Sequence, residues 1–102
     1  MVAVAQPAPN QPPNGATDLP TNVTLGWRPL KIAVSYDVEI SLNSTFTQIY
    51  NILSTDSTTL EAANLGYSTT YYWHVRGVDA AGEATGWSAD QSFTTVAATG
   101  IP

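Results

Sequence analysis

The chain turns on Leu65-Gly66-Tyr67-Ser68-Thr69-Thr70-Tyr71-Tyr72-Trp73-His74-Val75-Arg76-Gly77-Val78. From Tyr71 the side chains alternate, with Tyr71, Trp73 and Val75 on one face and Tyr72, His74 and Arg76 on the other, the period-two pattern of a half-buried strand. One face is core and the other is turned to solvent. Leu65 lies six residues ahead of Tyr71, with Gly66 and a run of Ser and Thr between them. That spacing lets the tyrosine fold back and hydrogen-bond the backbone of the turn before it, the tyrosine corner of Greek-key sandwiches.

Working outward, short alternating runs flank this strand. Val23, Leu25 and Trp27 alternate with Thr24 and Gly26, and Tyr36, Val38 and Ile40 alternate with Asp37, Glu39 and Ser41. Thr58, Leu60 and Ala62 lead into the turn at Leu65, and a last strand runs around Gln91 to Thr95. Pro29 lacks a ladder donor, so Arg28 to Val34 is a loop, which either exposes Ile32 or extends the following strand backwards. Asn43-Ser44-Thr45 forms a polar turn, and Phe46 is expected to tuck into the end of the core. Between Thr47 and Leu53, Ile49 and Leu53 share one parity while Tyr50 and Ile52 share the other, so apolar groups remain on whichever face is not buried. Short strands at hairpin spacing without helical periodicity predict an all-β sandwich rather than a βαβ fold. Parity alone assigns the core to Val23, Leu25, Trp27, Tyr36, Val38, Ile40, Leu60, Leu65, Tyr71, Trp73, Val75 and Phe93.

On the stretch from Leu65 to Val78 the chain resembles the fibronectin type III family, in which a leucine, a short turn and an aromatic-rich strand follow in this order. The resemblance covers roughly Asn14 to Thr95. It implies an immunoglobulin-like Greek-key β-sandwich of seven strands, a non-enzymatic module with surfaces and loops to offer and no reactive pocket. Such core signals carry fold and not ligand. A tryptophan before the last strand is frequent in the family, where it packs over arginine side chains or closes the core, which makes Arg76 a stacking partner for Trp87. Arg76-Gly77-Val78-Asp79 is similar to the integrin-binding tripeptide of one fibronectin module, but Val78 and the strand location break the match.

Composition bounds the rest. At 102 residues the chain has room for one domain. The expected division is a Pro-rich linker or edge segment over 1–13, the sandwich over 14–95, and an exit linker over 96–102. Pro7, Pro9, Pro12 and Pro13 force extended backbone, Asn14-Gly15 is a turn signal, and Asp18-Leu19-Pro20 ends the approach. Only 11% of residues are charged and the net charge is -5, with Arg28, Lys31 and Arg76 the sole cations. No basic stripe exists for nucleic acid, and no apolar run reaches the roughly 20 residues that span a bilayer. Met1-Val2-Ala3-Val4-Ala5 lacks a basic start and is too short for a signal core, so the chain reads as a piece of something longer. Without cysteine there is neither a disulfide framework nor a thiolate metal site.

Reactive constellations are equally scarce. His74 is the only histidine and parity places it on the solvent face, with no nucleophile elbow and no second ligand for zinc. Asp18, Asp37, Glu39, Asp56, Glu61, Asp79, Glu83 and Asp90 are scattered singly, without the spacing that cages calcium. No catalytic, metal or cofactor site is therefore expected, although Asp79 and Glu83 share a loop that would hold at most a weak adventitious cation. Asn22-Val23-Thr24 and Asn43-Ser44-Thr45 fit the glycosylation pattern, which matters only in a glycosylating source.

The informative feature is a face. With the two central strands antiparallel, as the family's topology implies, Asp37 and Glu39 lie across from His74 and Arg76, with Tyr72 at one end and Ser92 and Thr94 on the next strand. Such cross-strand pairs stabilise a solvent face by roughly 0.2 to 1 kcal/mol each. The functional alternative is a partner-contact surface of Ile32, Tyr50, Ile52, Tyr72, His74, Arg76 and Trp87, since Tyr and Arg are enriched at interface centres. An exposed Trp87 beside Gly86 would instead offer a platform for a sugar ring.

These readings predict a monomeric, non-catalytic spacer or protein-interaction module of a larger extracellular or cell-surface protein. Its expected partners are neighbouring domains of the same polypeptide, or a protein or polysaccharide, with no nucleic acid and no membrane insertion. The alternatives are a carbohydrate-binding accessory domain of a polysaccharide-degrading or adhesive protein, a structural module of a virus particle or surface layer, and an engineered binding scaffold suited by the Lys31-Ile32 loop.

Overall fold

The computed structural model describes residues 7–98, so Met1-Val2-Ala3-Val4-Ala5 and the end of the expected exit linker, 99–102, lie outside the described residues. Among the described residues eight strands follow one another: β1 (Pro9–Gln11), β2 (Ala16–Leu19), β3 (Val23–Trp27), β4 (Ala33–Ser41), β5 (Ile49–Thr55), β6 (Thr59–Ala62), β7 (Thr70–Asp79) and β8 (Gln91–Thr95). They form a three-stranded sheet, β1-β3-β6, and a five-stranded sheet, β2-β8-β7-β4-β5. The architecture is the expected immunoglobulin-like sandwich, but with eight strands rather than seven.

The extra strand comes from the proline-rich approach, which serves both sheets. Pro9–Gln11 pairs antiparallel with β3, and Arg28 N–H donates to the Ala8 carbonyl at 2.9 Å. Pro12 and Pro13 have no N–H with which to continue, and Gly15 takes a left-handed φ of 85° that carries the chain across to the other sheet. There Ala16–Leu19 pairs parallel with β8, its register broken around Asp18, which sits at φ 58°.

The core follows parity. Of the twelve residues assigned to it from the sequence, all are buried except Leu60, which is half-buried at its margin, and Ala62 joins them. Leu60 lies on a 4-residue edge strand, at the rim of the smaller sheet. Trp27 packs edge-on against Tyr36 at 5.5 Å and against Trp73 at 6.3 Å, and Tyr71 lies 5.6 Å from Phe93. The tyrosine corner forms as the spacing predicts: Gly66 N–H donates to the Tyr71 hydroxyl at 2.7 Å. Asn64 and Ser68, at φ 60° and 51°, make the tight turn around it.

Of two expectations about the loops, one holds in both its forms and one is corrected. The segment after Pro29 resolves both ways at once: β4 begins at Ala33, and Ile32 and Val34 remain 57% and 56% exposed. Phe46 does not enter the core. The loop between β4 and β5 folds back over the outer face of the larger sheet, because Asn43 Oδ1 accepts from Ser41 Oγ at 3.0 Å, Thr47 N–H at 3.0 Å and Gln48 N–H at 3.3 Å. Phe46, at φ 57°, is held on that outer face.

Candidate functional site

The outer face of the larger sheet is built from register. β4 and β7 pair antiparallel with Asp37 opposite Arg76 and Glu39 opposite His74, and β5 adds Ile52 beside Glu39 and Ser54 beside Asp37. Directly paired residues share a face, so these side chains form two neighbouring rows. Arg76 Nε lies 3.0 Å from Asp37 Oδ2, and Ser54 Oγ donates to Asp37 Oδ1 at 2.9 Å. His74 Nε2 lies 2.8 Å from Glu39 Oε1 and its Nδ1 lies 3.4 Å from Asp90 Oδ1. The expected cross-strand charge pairs are present.

His74 is nevertheless not solvent-exposed, as its parity predicts; it is 7% exposed. Its ring is sandwiched. Phe46 stacks on it at 3.8 Å with planes 3° apart, and Trp87 stacks at 4.0 Å with planes 17° apart. The Arg76 guanidinium carbon stands 4.5 Å from the Trp87 ring centroid. Residues two apart on a strand are separated by about 6.6 Å, which leaves room for one intercalated ring. The result is a ladder, Phe46, His74, Trp87, Arg76, in which the indole has imidazole on one side and guanidinium on the other.

The segment after β7 delivers Trp87. Thr85 N–H donates to the Gly77 carbonyl at 2.8 Å and Ser88 N–H to the Val75 carbonyl at 2.8 Å. In return Thr85 Oγ1 accepts from Gly77 N–H at 2.9 Å, and the buried Ser88 Oγ accepts from Val75 N–H at 3.0 Å. Two hydroxyls thus stand in for carbonyls and lay the segment along β7. Asp79 Oδ1 braces the preceding loop by accepting from Ala81 N–H and Glu83 N–H, both at 2.9 Å.

The other predicted contact residues scatter. Tyr72 is half-buried on the outer face opposite Ser92. Ile52 is 60% exposed beside Glu39, and Ile32 is exposed on the loop before β4. Tyr50 belongs to the opposite side: its ring meets Tyr71 edge-on at 5.1 Å, and its hydroxyl donates to the Asn64 carbonyl at 2.6 Å. Tyr50 stays 39% exposed, and the partial loss of hydration first, with the adjacent Tyr71 second, raises its pKa above the ordinary tyrosine range. Phe46, Asp90 and Ser88 were missed as members of the site, because loop residues carry no periodicity that assigns them to a face. The single usable signal was the polar, capping-competent Asn43-Ser44-Thr45 run ahead of Phe46.

Chemically the arrangement is braced rather than reactive. Both faces of the imidazole are covered by rings, and among the described residues its nitrogens meet only carboxylates. Glu39 and Asp90 occupy different nitrogens and so cannot converge on one ion; among the described residues no group of three or more His, Asp or Glu side chains could hold a metal. A neutral imidazole donates to one of the two carboxylates, and an imidazolium to both. Trp87 offers no free ring face to a sugar.

No curated protein sequence matches the chain. Among solved structures, an Fn3-like protein from Clostridium thermocellum is 26% identical with a TM-score of 0.70, over 92% of this chain and 95% of that one. A β-1,2-glucanase from Parabacteroides distasonis matches at 18% identity and a TM-score of 0.71, over 95% of this chain but 13% of its own length. An α-L-rhamnosidase from Dictyoglumus thermophilum matches at 15% identity and a TM-score of 0.69, over 91% of this chain and 12% of its own. At the last two identities the likeness is one of fold alone. The family model described as "Rha78A-like, N-terminal immunoglobulin domain" matches residues 21–99, and the chain belongs to that family, on a fibronectin type III fold.

Proposed function

We propose that the domain is a non-catalytic accessory module of a larger, secreted, carbohydrate-active polypeptide, in which it braces neighbouring domains rather than binding sugar itself. The observation that carries this reading is the family to which the chain belongs, an N-terminal immunoglobulin domain named for a Rha78A-like protein. The occurrence of the same fold as 12% and 13% of two glycosidase chains supports it. The ladder fits a brace: it ties Phe46, His74 and Trp87 into internal stacking, and it keeps the loops at 42–48 and 84–88 pinned to the sheet.

The carbohydrate-platform alternative loses its main group, because the Trp87 indole lies between His74 and Arg76. The test uses the parent polypeptide with and without this domain. Its removal should lower the melting temperature of the remainder while leaving kcat on a small soluble glycoside within about twofold. The isolated domain should give no heat on titration with rhamnose-containing oligosaccharides or β-1,2-glucan. Saturable binding that Trp87→Ala abolishes, or a melting temperature of the remainder unmoved by the deletion, would overturn the proposal.

A further inference from the structure

The two ends of the sandwich differ in charge. At the end where the described chain enters, the loops and strand ends carry Arg28, Lys31, Asp56, Asp79 and Glu83. At the other end β3, β5 and β7 begin and β2, β4, β6 and β8 finish. There the connections 20–22, 42–48 and 63–69 and residues 96–98 hold no charged side chain. The nearest carboxylates, Asp18 and Glu61, stand on the edge strands β2 and β6. Apolar groups are exposed at that end instead: Tyr67 at 55%, Leu42 at 42%, and Ile49 and Tyr50 beside them on the start of β5. The Tyr50 hydroxyl reaches the Asn64 carbonyl at 2.6 Å and so joins the strand side of this surface to the turn that carries Tyr67.

The chain leaves between β2 and that turn, and it is pinned as it leaves. Val96 N–H donates to the Leu19 carbonyl at 2.7 Å, and the Val96 carbonyl accepts from Ser68 N–H at 3.0 Å. The buried Thr95 hydroxyl donates to the Gly66 carbonyl at 2.6 Å and accepts from Thr69 N–H at 3.0 Å. A root bonded on both sides fixes the direction of what comes next, which a flexible spacer does not require. Ala97 and Ala98 follow it, exposed, so the continuing chain is delivered beside Tyr67.

We propose that this exit end is a docking surface for the domain that follows in the same polypeptide, with Tyr67 as its anchor and Leu42, Ile49 and Tyr50 as its flank. The inference rests on the reading of the chain as an accessory module of a larger polypeptide, and it adds which end of the module makes the contact. Size selects a tethered occupant over a free one. A handful of exposed apolar side chains falls far short of the roughly 20 to 30 residues a side that separate molecules use, a second copy of this chain included. A short connection holds what it carries at an effective concentration of about millimolar, at which a small surface suffices. Chemistry selects the kind of face that meets it. Charged side chains are depleted and tyrosine is enriched at the centres of interfaces, and a charge set against Tyr67 would be desolvated with no counter-charge on these loops. The facing surface of the following domain is therefore apolar and uncharged.

The test is made in the parent polypeptide. Tyr67→Ser combined with Leu42→Ser should lower the melting temperature of the remainder by at least about half of the drop that removal of the whole domain causes. Ile32→Ser combined with Val34→Ser, two exposed residues at the charged entry end, should leave it unchanged. Hydrogen exchange at the amides of residues 64–69 should be about tenfold slower in the parent than in this chain alone, and the exit-end pair should abolish the difference. In this chain alone that pair should leave the circular dichroism unchanged, and sedimentation should show a monomer. A melting temperature that removal of the whole domain leaves unmoved would defeat the accessory reading itself. Four results would overturn the docking surface alone: a drop on removal that the exit-end pair does not reproduce, equal exchange at 64–69 in both contexts, an equal effect of the entry-end pair, or self-association of this chain that the exit-end pair abolishes.

Discussion

Tyr71 shows how much one side chain decides. Its ring fills the space between Tyr50 and Phe93, and its hydroxyl is the acceptor for Gly66 N–H at 2.7 Å. Tyr71→Phe keeps the packing and orphans that donor, so it should destabilise the domain by about 1 to 2 kcal/mol in a urea titration. Arg76 behaves differently. It is paired with Asp37, but its side chain is 36% exposed, so solvent screens the pair, and Arg76→Met should cost under about 1 kcal/mol. Much of that loss would come from its stack on Trp87, visible as a change in indole fluorescence. Tyr50 gives the residue-scale pH dependence. Its phenol holds its proton more tightly in the folded state than in the unfolded chain. That contribution is complete below the ordinary tyrosine range and is lost as the pH climbs from there through the raised folded value. An alkaline titration of the melting temperature should therefore be shallower in Tyr50→Phe.

Among elements, the loop between β4 and β5 matters most to the outer face. Asn43 organises it with one oxygen and one amide, the amide donating to Thr47 Oγ1 at 2.6 Å. That hub is what sets Phe46 on His74. Asn43→Ala should cost about 1 to 2 kcal/mol and, more tellingly, release Phe46, seen as a loss of ring-current shifts on the His74 ring protons by NMR. Strand β7 is the organising element of the larger sheet, bonded to β4 on one side and β8 on the other. Its alternation was legible because a strand buried on one face must write period two into its sequence. What covers its other face was not legible. Phe46 and Trp87 reach His74 from loops, and nothing in the spacing of loop residues says which way they fold. For the same reason the sequence makes Phe46 a core residue and His74 an exposed one, whereas the two lie face to face outside the core.

For the molecule as a whole, stability rests on one apolar layer between two sheets, since the chain contains no cysteine. Leu25, fully buried at 0% exposure, is central to that layer. Leu25→Ala should cost about 2 to 5 kcal/mol, seen as a lower urea midpoint with an unchanged m-value. That Asp37 and Glu39 lie across from His74 and Arg76 follows from the topology that the family resemblance implies; the all-β class, the tyrosine corner and nearly the whole core were determined by the sequence alone. Each is local or periodic, and burial on one face of a strand leaves its mark on every second residue. Three things were decided only by tertiary structure: the division of the proline-rich approach between both sheets, the stacking of Phe46 and Trp87 on His74, and the gathering of uncharged loops at the end where the chain leaves. All three depend on where distant segments meet in space, and the free energy of such meetings is shared among residues far apart in the chain rather than written at any one of them.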